Sequence, residues 1–140
     1  MADLLPRLLG VLALLLVASA AWLLLSRRRG TLRTTRRGGA LTLADFGEAV
    51  ARGDRLSIVQ ISAPICSNCR ASERRWRDFT GSVDGAAFSV VMADDHLGVV
   101  SRLGIMSTPS SAVFDATGTL RGVIRGVPSR EQIQDLREQE

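Results

Sequence analysis

An α/β domain with a mixed central sheet of about four strands flanked by helices, preceded by one N-terminal transmembrane helix, is the fold class this 140-residue chain predicts. Three features carry the prediction. An uncharged run extends from Leu8 to Leu25. Beyond residue 41, β-rich and helix-periodic segments alternate. Asp115-Ala116-Thr117-Gly118 lies between two β-rich runs, which signals a hairpin.

The run from Leu8 to Leu25 is 18 residues of mainly Leu, Val and Ala, interrupted by Gly10 and Ser19. At about 1.5 Å per residue it spans most of a roughly 30 Å hydrocarbon core, with Trp22 near one interface. Ala18-Ser19-Ala20 resembles a signal-peptide cleavage site, which leaves a cleaved leader as the rival reading. Against it, the apolar run continues past that site to Leu25, and the stretch before it holds only Arg7 and the amino terminus, offset by Asp3. The organisation expected is an anchor at 1–26, an Arg/Gly-rich linker at 27–40 and a folded domain at 41–140. Arg27, Arg28, Arg29, Arg33, Arg36 and Arg37 all follow the span. The positive-inside rule therefore predicts a single-pass protein of the cell membrane with its domain in the cytoplasm. A lipid-headgroup tether is the plainer reading of the same arginines.

Charge divides the chain in the same way. Residues 1–40 carry seven Arg against Asp3, a net of +6, while residues 41–140 carry 11 Arg against 13 acids, a net of −2, which together make the chain's +4. The folded part has no basic excess to bind nucleic acid. All 18 cationic residues are Arg, which rules out lysine-based catalysis.

Within the domain, Phe46 and Val50 at helical spacing predict a helix over 43–51, ended by Gly53-Asp54. Ile58, Val59 and Ile61 make 56–62 a buried strand. Residues 70–79 lack Gly and Pro and place Ala71, Trp76 and Phe79 on an inward stripe, with Arg70, Arg74 and Arg77 toward solvent. A loop at 81–85 leads to a second buried strand at 87–93 and a short helix at 95–103 bearing Leu97, Val99, Val100 and Leu103. Gly104-Ile105 ends that helix. Strands at 111–114 and 119–125 flank the hairpin turn. Ser129 with Gln132 three residues later forms a capping box that opens a last helix, with Ile133 and Leu136 inward. The first two strands are joined through a crossover helix and the last two are antiparallel.

The only two cysteines stand as Cys66-Ser67-Asn68-Cys69, between the first strand and the helix after it. A thiol placed there meets the positive end of the helix dipole and unpaired backbone N–H groups, which favour the thiolate. A dithiol redox site is therefore the leading reading. Half of a zinc site is the rival, but the chain has only His96 besides the two cysteines, so another chain would have to supply the rest. His96 and the neighbouring Asp94 and Asp95 read as helix-start or surface residues.

With Cys66-Ser67-Asn68-Cys69 after a strand, Ser107-Thr108-Pro109 ahead of the hairpin and Gly126 after the last strand, residues 41–140 resemble a thioredoxin domain. The resemblance implies a thiol–disulfide oxidoreductase in which Cys66 attacks a substrate disulfide and Cys69 resolves the mixed disulfide. It also implies a cis Thr108-Pro109 bond and a substrate-binding surface of Thr108, Pro109, Ile65, Ser67 and Asn68. No metal or organic cofactor is implied. The partners implied are protein disulfides or dithiols, together with an electron donor: a thioredoxin-reductase-like protein in the cytoplasm, or a membrane thiol carrier outside.

Three positions depart from the family pattern. Gln60 stands where thioredoxins usually bury an Asp that assists proton transfer, so water or a hydroxyl such as Ser62 or Ser67 would have to substitute. Ile65 replaces the usual Trp and Asn68 the usual Pro, so a reduction potential does not carry over. Gln60 and Ile65 also fit an alternative from another class, a redox-inert thioredoxin-like binding or scaffold module.

Overall fold

A computed structural model describes residues 4–27 and 41–139. Most of the predicted linker, 28–40, lies outside the described residues. The chain separates into two compact units, 1–31 and 32–140.

The first unit is helix α1, Leu4–Arg27. Its stretch Pro6–Leu24 is 19 residues of mean hydropathy 2.2, enough by length and composition to cross a membrane or to serve as a signal sequence. Pro6 sits in the first turn, where its missing N–H breaks no intrahelical bond.

In the second unit, strands β1 (Leu56–Ser62), β2 (Ala86–Met92), β3 (Ser110–Asp115) and β4 (Leu120–Arg125) form one sheet in the order β2-β1-β3-β4. β1 runs parallel to β2 and antiparallel to β3, and β3 is antiparallel to β4. The mixed sheet predicted from the sequence is thus present. Every residue of β1 is buried, as expected for a central strand covered on both faces.

Side-chain alternation along the strands splits the core in two. On one face Leu56, Ile58, Val113 and Ile124 pack with Trp76, Phe79 and Leu136. These last come from α2 (Cys69–Gly81) and α4 (Arg130–Glu138), so the two helices share that face. On the other face Val59, Ile61, Ala112, Phe114 and Val123 pack with Leu43, Phe46 and Leu103. Leu103 follows the short helix α3 (Leu97–Arg102).

Three elements differ from expectation. The helix expected over 43–51 is a 3₁₀ segment, Leu43–Ala49, interrupted at Gly47 (φ 73°, ψ −161°). Gly47 adopts a conformation closed to most L-residues and ends the helical path after one turn, which still delivers Phe46 to the core. The second strand, read as buried, lies at the sheet edge: only Val91 of its seven residues is buried, and Val90 is exposed. Its apolar run reads like that of an interior strand although one side has no neighbour. The helix expected over 95–103 begins as a 3₁₀ turn, Ala93–His96, before α3, and Leu97 on it is 65% exposed.

Local polar chemistry matches the reading elsewhere. Asp115 Oδ1 accepts hydrogen bonds from the Thr117 and Thr119 amides, both at 2.9 Å, and closes the hairpin. The Thr117 hydroxyl above all, with those two amides, holds its carboxyl below the ordinary value of 3.8. At α4, Ser129 Oγ accepts from Gln132 N at 3.1 Å while Gln132 Oε1 accepts from Ser129 N at 2.9 Å, the capping box expected.

Candidate active site

The sheet register brings the site loops together. Ser62 at the end of β1 pairs with Met92 at the end of β2, and Ile61 pairs with Ser110 at the start of β3. The loops that leave β1 and enter β3 therefore meet at one end of the sheet. One carries Ile65 and Cys66, the other Thr108 and Pro109.

Cys66 and Cys69 form a disulfide with their Cα atoms 5.5 Å apart. Cys66 lies in the turn before α2 and is half-buried, whereas Cys69 is the first residue of α2 and only 7% exposed. The first backbone bond of this turn runs from Ser72 N to Asn68 O at 3.1 Å. The amides of residues 69–71 thus belong to the set that a helix start leaves without intrahelical acceptors, on the Cys66 side. Cys66 precedes the N-terminus of α2, where N–H dipoles favour a thiolate. The two cysteines thus differ in exposure, Cys66 being half-buried and Cys69 buried.

Beneath the pair, Gln60 is fully buried in β1, and its Nε2 donates to the Cys69 carbonyl at 3.2 Å. Its Oε1 and the buried Ser72 Oγ have no hydrogen-bond partner among the described residues. Trp76, one turn further along α2, is fully buried and donates from Nε1 to Ser111 Oγ on β3 at 2.8 Å. This bond ties the Cys-bearing helix to the sheet.

On the neighbouring loop the Thr108–Pro109 bond is cis, as the resemblance implied. Ser110 Oγ donates to Ser107 O, and Gly126 N donates to Pro109 O, both at 2.8 Å. Gly126 holds φ at 78°, which lets the chain leaving β4 turn under Pro109.

Of the residues expected to contact substrate, Ile65 is 97% exposed, Ser67 and Asn68 are exposed, Thr108 is half-buried and Pro109 is buried. Sequence reasoning passed over Met106, which is 91% exposed in the loop that leads to Pro109. A Met between the helix-ending Gly104 and Thr108-Pro109 was the available signal. His96, read as a helix-start or surface residue, packs its ring against Phe46 with centroids 5.5 Å apart.

No family model and no curated protein matches the sequence. Solved structures do match. Thioredoxin from Trypanosoma brucei brucei aligns over 77% of this chain and 96% of its own, at 20% identity and a TM-score of 0.55. Spinach chloroplast thioredoxin f aligns over 70% and 88%, at 14% identity and a TM-score of 0.56. Malassezia sympodialis thioredoxin aligns over 62% and 78%, at 19% identity and a TM-score of 0.51. With the mixed four-strand sheet, the flanking helices and the Cys66–Cys69 pair at the strand-to-helix junction, these likenesses show that the chain carries the thioredoxin fold.

Proposed function

We propose that this chain is a membrane-anchored thiol–disulfide oxidoreductase. The observation that carries the proposal is the Cys66–Cys69 disulfide, in which one cysteine is half-buried and the other buried. In the reduced protein the Cys66 thiolate attacks one sulfur of a substrate disulfide. The S–S bond of the substrate breaks, a mixed disulfide to Cys66 forms, and the departing sulfur leaves as a thiolate that takes up a proton. Cys69, once deprotonated, then attacks the Cys66 sulfur, releases the second substrate thiol and closes the Cys66–Cys69 bond. Two electrons have moved from the dithiol to the substrate.

Thr108 and Pro109 form the rail along which an extended substrate segment lies. Ile65 and Met106 present apolar surface on the two loops that frame it, while Ser67 and Asn68 line the approach to Cys66. The substrates are protein disulfides, and α1 holds the domain at the lipid bilayer. The arginines after the span favour the cytoplasmic side and electrons from a thioredoxin-reductase-like partner. On the outer side a membrane thiol carrier would supply them.

Replacing the resolving thiol tests the assignment. The Cys69→Ser chain, reduced and mixed with a disulfide-bonded peptide, is expected to accumulate a mixed disulfide at Cys66, identified by mass after proteolysis. The wild-type chain should release the peptide thiols and leave none. If the Cys69→Ser chain forms no adduct, Cys66 is not the attacking thiol.

A further inference from the structure

Gln60 is a fully buried amide with its two ends in different states. Its Nε2 is committed to the Cys69 carbonyl at 3.2 Å, while its Oε1, equally sealed from solvent, accepts from no group among the described residues. A buried acceptor left in this condition has lost its water without gaining a partner, which destabilises the state that holds it. The residue it already touches is one of the two whose chemistry changes in the redox cycle. With the disulfide closed, Cys69 has no proton to donate. Reduction by two electrons and two protons breaks the S–S bond and gives Cys69 an S–H in the same shielded surroundings.

The geometry points to Gln60 as a redox-tuning positioning residue: its Oε1 accepts the Cys69 S–H in the dithiol form and stands unsatisfied in the disulfide form. The inference rests on the proposed dithiol cycle. Gln60 acts through Cys69 and touches no substrate. Both halves of its effect have one sign, because the dithiol gains a hydrogen bond and the disulfide bears an orphaned acceptor. The bond from Nε2 to the Cys69 backbone exists in either state and cancels. Gln60 therefore draws the couple toward the dithiol and makes the protein more oxidising than it would be with an apolar residue of the same shape. Because an amide does not titrate, the bias holds across pH wherever Cys69 keeps its proton.

The test compares the full-length wild-type chain with Gln60→Met, both in detergent micelles, each equilibrated with dithiothreitol at pH 7 and scored by thiol labelling. Met is close in volume and lacks the acceptor. The dithiol/disulfide equilibrium constant is expected to move about five- to tenfold toward the disulfide in the variant, about 20–30 mV more negative for a two-electron couple. A shift below twofold, or in the opposite direction, overturns the role of Gln60 while leaving the dithiol cycle intact. A wild-type chain with no reversible couple overturns both. A second measurement needs no substitution and covers the case in which Gln60→Met does not fold. The carbonyl ¹³Cδ resonance of Gln60 in the wild-type chain should move downfield on reduction, as a hydrogen-bonded carbonyl does, and an unchanged resonance contradicts the proposal.

Discussion

Replacement of Cys66 by serine is expected to slow reduction of a protein disulfide by at least about a thousandfold, as removal of a catalytic nucleophile does. Serine is close in size to cysteine, so the turn before α2 should survive. What disappears is the thiolate nucleophile, since a hydroxyl does not ionise near neutral pH even at a helix start. The remaining thiol does not take over, because Cys69 is only 7% exposed at the base of α2. A single-turnover assay with a disulfide-bonded peptide checks this, with thermal unfolding as a control that the variant is folded. Retention of wild-type rate by Cys66→Ser would remove the nucleophile from the account.

Trp76→Ala is expected to produce the largest loss of stability. The indole is fully buried against Phe79, in an edge-on contact with centroids 6.0 Å apart, and belongs to the core shared by α2, α4 and the sheet. Truncating a buried Trp costs about 3–5 kcal/mol in lost transfer energy and residual cavity. Ser111 Oγ, also buried, loses the N–H that donates to it. Against a typical domain stability of about 5–15 kcal/mol, the loss is about a fifth of the total at the least. Urea unfolding should show the midpoint falling with the slope unchanged. Trp76→Phe separates the two contributions: it keeps most of the apolar volume and should cost about 1–2 kcal/mol, chiefly for the orphaned hydroxyl.

The parts of this fold legible in the sequence are those that local chemistry specifies. Ser129 and Gln132 cap α4 by a rule that needs only their spacing, and Asp115 to Gly118 turn the hairpin by another. The buried run of β1 is recognisable because both of its faces are covered. What escaped depends on neighbours distant in sequence. The edge position of β2 is a fact of topology, and Val90 and Val91 look alike in the sequence although one is exposed and the other buried. Gly47 broke a helix that the spacing of Phe46 and Val50 favoured.

The site divides in the same manner. The cysteines and Thr108-Pro109 are visible as motifs, and the β1–β3 register explains why they meet. Gln60 was noticed as a departure from a family pattern. Its hydrogen bond to Cys69 O and its unpartnered Oε1 required coordinates, because they depend on where the base of α2 lies over β1. Met106 was missed because nearly complete exposure of an apolar side chain is a property of a loop path, not of composition.

In the proposed function, Cys66 and Cys69 cycle between dithiol and disulfide as one couple. The measurement that tests it most directly is redox titration of the full-length chain in graded dithiothreitol or glutathione buffers, with both cysteines counted by thiol labelling and mass. A single reversible transition is expected, in which both thiols appear together with a two-electron slope of about 30 mV per decade. Cysteines that resist reduction throughout, or two thiols that are labelled independently and never close on each other, would contradict it and leave a binding module with an inert pair.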